Sequence, residues 1–353
     1  MDFGLDETRA AVAALAADVL GRDGAGWSDL VRTGLVALAM PVRLGGDGLG
    51  VLETSLVLTE VGRRAVALPA LATLALGVLP LARLGTLAQQ DAHLCGVATG
   101  DALLTAATRE PSVSLPGVPA TVARRDGDRF LVSGTKVGVP YAAESSRILV
   151  PATIRGGGSA GVLLIAPDAA GVRVTATSSS SGMPEYTVDF TDVVVSAGDL
   201  LGRDPSGQAV RELNRFALAG ACAVGDGLAA GALELTTTHI RQREQFGKPL
   251  ATFQAVAQQI ADVYTCARTL HLAARSACWR LDSGRDAGYD LDVAGYWLAE
   301  ELPIGLQVCH HLHGGLGVDA AYPMHRYYST GKDLARFVGG AGQRLDRLAA
   351  VGG

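Results

Sequence analysis

From Val210 onward the apolar residues keep one step. Val210, Leu213, Ala217, Ala221, Val224, Leu228, Ala232 and Leu235 recur every three or four positions without a break. Only one face of an α-helix satisfies that period. The spacing predicts a long helix that stops near Gly247, with Pro249 just past its end. Thr252 is placed to cap the next helix, whose stripe runs Val256, Ile260, Val263, Ala267, Leu270, Ala274 and Leu281. A third is expected from about Asp290 to His313, kinked at Pro303, and a fourth carries Leu334, Val338, Ala341, Leu345 and Leu348. Four long amphipathic helices on short connections specify a bundle over residues 203–353.

The chain has 353 residues, room for two or three domains at about 150 residues each. Apolar residues make up 48% and charged residues 18%, which supplies a large core and excludes a disordered chain. Residues 1–104 read as helical and rich in Ala and Leu, as in Ala11–Leu20 and Leu52–Arg63, around a glycine-rich turn at Pro41–Gly50. Residues 105–202 change character. Thr121–Arg124 and Arg129–Val132 flank an Asp126-Gly127-Asp128 turn and read as a hairpin. Strands follow at Ile148–Val150, Val162–Ile165, Val172–Val174 and Val188–Phe190, with Gly156–Gly158 and Ser178–Gly182 as turns. The fold class is therefore α+β: an N-terminal helical domain, a small antiparallel β domain and a C-terminal four-helix bundle.

The net charge of −5 argues against nucleic acid, whose binding draws on neutralised phosphates. Cys95, Cys222, Cys266, Cys278 and Cys309 form no zinc spacing, and their odd number points to a reducing, cytoplasmic setting. Met1–Glu7 carries acids and no apolar leader. The uncharged stretch 65–82 is long enough to span a membrane, but Pro69, Gly77 and Pro80 make it a buried helix broken at the prolines, and no membrane partner is expected.

Two motifs carry chemistry. The first is Arg241-Gln-Arg243-Glu-Gln-Phe246-Gly247-Lys-Pro249, followed by Phe253-Gln254. The second is His310-His311-Leu312-His313-Gly314-Gly315-Leu316-Gly317, with Tyr322-Pro323 and Arg326 behind it. A fixed guanidinium at Arg243 suits a pyrophosphate, and Phe246 beside Gly247 offers a flat apolar surface. Gln254, in a first helical turn, can donate near positive helix-dipole charge. Gly314 and Gly315 leave the backbone open to a ligand. The competing readings are a surface ion pair for Arg243, an ordinary helix-ending turn for the glycines, and a metal site for His310 and His313. No carboxylate or Cys completes a metal set there, so no metal is assigned.

These motifs, with the three-part order, resemble the acyl-CoA dehydrogenases, and the His-His-Leu-His-Gly-Gly form is most similar to the actinobacterial steroid and branched-acyl branch. The resemblance covers nearly the whole chain. It implies lipid metabolism: a flavoprotein oxidoreductase that uses FAD shared across a subunit interface and desaturates an acyl-CoA at its α,β carbons. It also implies a tetramer and electron-transfer flavoprotein as electron acceptor. Arg243, Phe246, Gly247, Gln254, His311, Gly314, Gly315 and Gly317 are the FAD-binding residues it assigns to this sequence.

The same resemblance exposes gaps. The family places its catalytic Glu at one of two positions, and Asn214 and Val338 stand there. Neither takes a proton usefully, so no catalytic residue is assigned. Thr108-Arg109-Glu110-Pro111 leads to no Gly-Ser-Asp, and Lys136-Val-Gly138-Val-Pro140 lacks the Trp that packs on flavin in the family. Three readings follow. The chain is the half-site, non-catalytic subunit of an α2β2 heterotetramer, with steroid degradation as the setting. Or it is a self-sufficient homo-oligomer acting on acyl-CoA or acyl-carrier-protein substrates, with a base relocated to Glu212, Asp226, Asp319 or Asp333. Or it is a flavin-free scaffold or binding protein.

Overall fold

A computed structural model describes residues 4–156 and 159–352. Helices come first: α1 (Glu7–Leu20), α2 (Trp27–Arg32), α3 (Val51–Arg64), α4 (Leu79–Leu84) and α5 (Leu87–Ala98). Strands follow: β1 (Leu104–Ala106), β2 (Arg109–Glu110), β3 (Val113–Ser114), β4 (Val122–Asp126), β5 (Arg129–Pro140), β6 (Arg147–Arg155), β7 (Ala160–Ile165), β8 (Val172–Thr177) and β9 (Glu185–Ser196). Next come α6 (Gln208–Gln242), a short hairpin of β10 (Glu244–Gln245) and β11 (Lys248–Pro249), α7 (Gln254–Asp282), α8 (Gly288–His313), α9 (Met324–Phe337) and α10 (Gly340–Gly352). Contacts divide the chain into two compact units: Met1–Gly21, Ser55–Ala67 and Ala221–Gly353 form one, Arg22–Thr54 and Leu68–Gly220 the other.

In the bundle unit the backbones of α3 and α6 meet at glycine. A Cβ added at Gly62 would lie 2.1 Å from the Val224 carbonyl oxygen. One at Gly227 would lie 1.8 Å from that of Thr59, and one at Gly231 2.1 Å from that of Arg63. The side-chain-free row lets two main chains touch, and the Tyr327 hydroxyl donates to the same Arg63 carbonyl at 2.7 Å. α6 is the one described helix long and apolar enough to cross a membrane, yet 89% of its most apolar window is buried in the fold.

Several helix ends differ from the periodicity. α6 stops at Gln242, and Glu244–Pro249 forms a hairpin rather than a last turn. Thr252 does not cap α7: it lies in a 3-10 turn with its hydroxyl on the Pro249 carbonyl, and Phe253 is the N-cap. α8 runs unbroken through Pro303. The expected fourth helix is two, α9 and α10, parted by Gly339 (φ 93°) and Gly340 (φ 73°). An apolar stripe cannot reveal that break, because Val338 and Ala341 stay in phase across it.

The second unit holds the sheet, ordered β1-β6-β4-β5-β9-β8 with β7 also on β6. It is mixed rather than antiparallel, since β6 pairs in parallel with both β1 and β4. The β4–β5 hairpin turns at Gly127-Asp128, between the paired Asp126 and Arg129. Of the Gly156–Gly158 turn, Gly157 and Gly158 lie outside the described residues. The apolar 65–82 stretch is interrupted at Pro69 but not at Pro80. A π-helix over Leu71–Val78 hands over directly to α4, with Pro80 in its first turn, where a missing N–H is tolerated. Under the sheet Lys136 is fully buried. Its Nζ lies 2.8 Å from Glu110 Oε1, and the same carboxylate accepts from the Ala120 and Thr121 amides and the Thr121 hydroxyl.

Gly227→Ala should destabilise the fold by about 2 kcal/mol or more, because backbone rather than a side-chain end blocks the new methyl. Lys136→Met should cost about 3 kcal/mol by leaving a buried carboxylate without its cation. Denaturant titration of each variant checks both.

Candidate cofactor cleft and the positions of the base

The end of α6, the β10–β11 hairpin, the start of α7 and the end of α8 enclose a cleft of about 630 Å³. Arg243, His311, Gly314 and Gly315 line it. Phe246, Gly247, Gln254 and Gly317 lie outside its lining. Phe246 is 92% exposed at the hairpin tip, where Phe246 (φ 53°) and Gly247 (φ 75°) both take left-handed backbone. Two positive-φ residues in a two-residue loop give the tight hairpin its hand. The main chain of Arg243 anchors the hairpin. Its N–H donates to the His239 carbonyl and its carbonyl accepts from Leu250, both at 2.8 Å.

Gly314 (φ 57°, ψ −136°) ends α8 in a conformation that side chains resist. A Cβ at Gly314 or Gly315 would meet nothing within 4 Å, so both face open space. Gly317 is glycine for a different reason: its Cβ would lie 2.9 Å from the His310 carbonyl oxygen.

The cleft also contains a residue the motifs did not mark, His239. His239 and His313 stack with ring centroids 4.5 Å apart, and Tyr322 leans on His313 at 5.2 Å. The ring nitrogen Nδ1 of His313 lies 2.8 Å from the Cys309 carbonyl, so it carries the hydrogen, while Nε2 is buried without a partner. Burial holds the pKa of both imidazoles below the usual histidine value, and Arg243 adds to this at His239. The stack therefore persists as a neutral pair beside one guanidinium. Leu250 and Val256 add apolar wall. The available signal was that His239 precedes Arg243 by four residues, one helical turn. The partner His313 is brought up only by folding.

The two family positions for a base are taken up structurally. Val338 is fully buried at the end of α9. Asn214 donates through Nδ2 to the Pro116 carbonyl at 3.0 Å, and its Oδ1 is buried without a partner. A carboxylate has no hydrogen to give that carbonyl. The relocated-base candidates are engaged as well. Glu212 pairs with Arg215 at 2.9 Å and Asp333 with Arg336 at 3.2 Å. Asp226, 5% exposed, faces His271 Nδ1 at 3.0 Å, and Asp319 accepts from the Ala321 amide. On the β unit, Arg109 lies over Gly138. A Cβ there would sit 2.1 Å from Arg109 Nη1, and Arg109 Nε donates to the Ser114 hydroxyl at 3.2 Å. Among the described residues no cluster of His, Cys, Asp and Glu could hold a metal ion.

A family model for the acyl-CoA dehydrogenase C-terminal domain matches residues 209–350, and one for the N-terminal domain matches residues 5–101. The chain belongs to the acyl-CoA dehydrogenase family of oxidoreductases. It is 48% identical to acyl-CoA dehydrogenase FadE28 of Mycobacterium tuberculosis, over 99% of this chain and 98% of that relative. Among solved structures it resembles a chain of the Tcur3481-Tcur3483 steroid ACAD, with 31% identity, 98% and 97% of the chains covered, and TM-score 0.90. It also resembles a chain of the ChsE4-ChsE5 complex from Mycobacterium tuberculosis, with 29% identity, 99% and 98% covered, and TM-score 0.91.

The neutral imidazoles have a consequence for pH. The folded chain resists protonating His313, whereas the unfolded chain takes up its proton near the ordinary pKa of about 6.5. Stability is therefore present above that value and falls as pH drops below it toward the lower folded pKa. Urea unfolding between about pH 7.5 and 5.5 should show this fall, with a smaller slope in His313→Leu.

Proposed function

We propose that this chain is the half-site subunit of a flavin-dependent acyl-CoA dehydrogenase, assembled two-plus-two with a homologous partner that supplies the catalytic carboxylate and most of the flavin site. The observation that carries this reading is the fate of the two base positions: Val338 is core, and Asn214 holds the Pro116 carbonyl by an amide hydrogen. The placement of Arg109 supports it. Its guanidinium occupies the space over Gly138 that a tryptophan would need for packing on a flavin of the chain's own.

The α6–α8 cleft suits the dinucleotide end of FAD reaching in from the partner. Arg243 would bind the pyrophosphate with charge-assisted hydrogen bonds. The open Cβ positions of Gly314 and Gly315 would let backbone approach it, and the neutral His239–His313 pair would present a flat uncharged surface. His311 lines the same cleft, and Gln254 stands in the first turn of α7. Bound FAD would accept the hydride leaving the β-carbon of the thioester. The exposed Phe246-Gly247 tip is then a surface for the partner subunit to cover.

Two similar structures are a steroid ACAD and a ChsE4-ChsE5 complex, which supports an acyl-CoA with a steroid side chain or branched acyl group as substrate, and a homologous subunit as partner. Electron-transfer flavoprotein is the expected electron acceptor. The cysteines, all free and four of them buried, support a soluble chain in the reducing cytoplasm.

The chain should be colourless and inactive when purified alone, and yellow and active toward an acyl-CoA when co-purified with its homologous partner. A yellow, active preparation of the single chain sinks the proposal, as does a colourless complex. In the complex, Arg243→Ala should weaken flavin retention about tenfold or more, the worth of a charged hydrogen bond, while the complex stays folded and assembled. Full flavin occupancy in that variant would remove Arg243 from the site.

A further inference from the structure

The β unit contains a second cleft, of about 330 Å³, at the corner where β4, β5 and β6 meet the segment after β9. Phe130, Ile154 and Leu200 form its apolar wall, and the guanidiniums of Arg125 and Arg203 stand at it. We propose that this cleft is a binding site for a mononucleotide, with the two arginines on the phosphate and the apolar wall against the base. The inference is independent of the dehydrogenase reading, since none of these residues belongs to the flavin cleft or the base positions.

No ion pair reaches either arginine among the described residues. Arg203 has no ion-pair partner among the described residues, and Arg125 makes only a hydrogen bond from Nε to the Gly127 carbonyl at 3.3 Å. Of the nearby acids, Asp128 and Asp199 make no ion pair among the described residues, and two others are committed elsewhere. Asp126 pairs with Arg129, and Asp204 caps the start of α6 through the Ser206 and Ala209 amides. Just beyond the cleft, Arg124 and Arg155 are direct neighbours on the parallel β4–β6 ladder, again with no acid on either among the described residues. Like charges facing across a ladder cost stability. Arg124 and Arg155 leave the opposite face of the sheet from Arg125 and Ile154, so the cleft itself holds two arginines, Arg125 and Arg203, in a chain of net charge −5. They attract an anion with more than one oxygen to share, and a phosphate matches the guanidinium fork.

The cleft is also built rigidly at a local cost. Gly202 (φ 62°) and Arg203 (φ 56°) take left-handed backbone in succession. At Gly202 the cause is steric, because a Cβ would lie 2.4 Å from the Leu84 carbonyl oxygen. At Arg203 no such relief exists, and a long side chain is held where glycine would sit more easily. Buried Gln89 locks the segment. Its Nε2 donates to the Gly198 and Leu200 carbonyls, both at 2.8 Å, and its Oε1 accepts from the Gly202 amide at 3.0 Å. A strained residue fixed at the rim of a cleft, with its charge unspent, is the pattern expected of a ligand contact. The volume lies at the lower end of small-molecule sites, which fits one nucleotide rather than a dinucleotide.

Binding of AMP to the full chain, alone and in complex with its partner, measured by calorimetry, tests this. One saturable site per chain is expected, with a dissociation constant below about 1 mM. Adenosine and inorganic phosphate should each bind at least about tenfold more weakly, since each lacks half of the recognised chemistry. The double variant Arg125→Ala/Arg203→Ala should weaken AMP by about tenfold or more while flavin content and turnover of the complex stay unchanged. Arg203→Gly suits the left-handed backbone, so its weakened binding cannot be ascribed to unfolding. No saturation by AMP up to about 1 mM, adenosine binding as tightly as AMP, or full AMP affinity in the double variant would each overturn the proposal.

Discussion

The bundle depends on a contact between two main chains. At Gly62, Gly227 and Gly231 there is no room for even a methyl group between α3 and α6. Apolar area alone would pack these helices side chain against side chain. The glycines instead bring the carbonyls of Thr59, Arg63 and Val224 against the facing helix and set how closely the two run. Tyr327 of α9 then hydrogen-bonds one of those carbonyls, so a third helix takes its position from the same contact. Because interiors pack as densely as crystals, a fixed approach at one place propagates to the elements around it.

The cleft inherits this rigidity through the end of α6. The helix delivers His239 and Arg243 one turn apart, and the main chain of Arg243 closes the hairpin that follows. α8 delivers His311 and His313 and then stops at Gly314, whose conformation no other residue adopts comfortably. The helix ends thus carry side chains to one place, while Gly314 and Gly315, whose Cβ positions face open space, leave the main chain accessible to a ligand.

The positions at which the family resemblance places a base or a flavin-packing residue are occupied by definite contacts. Asn214 gives a hydrogen to a carbonyl, Val338 fills core, and Arg109 lies flat on a glycine of β5. Each contact is one that the family's catalytic or flavin-packing residue would make poorly. A carboxylate would oppose the Pro116 carbonyl, and a Trp at position 138 would collide with Arg109. These contacts support the proposed half-site reading.

Helical period alone determined α6, α7 and α8, because apolar spacing is a local property that folding only has to bury. Turn chemistry determined the β4–β5 hairpin for the same reason, and Arg243, Gly314 and Gly315 of the two motifs line the cleft. Parity and phase could not determine everything. They did not show that β6 pairs in parallel, that α9 and α10 part at Gly339, or that the 65–82 stretch passes through Pro80, since each outcome rests on distant partners or on backbone angles. Tertiary structure decided which residues share the cleft, pairing His239 with His313 across the sequence and leaving Phe246 and Gln254 outside its lining. It also decided what Asn214 and Arg109 do. Their residue types are compatible with a solvated surface, and only the groups folded against them, the Pro116 carbonyl and Gly138, give those side chains a fixed task.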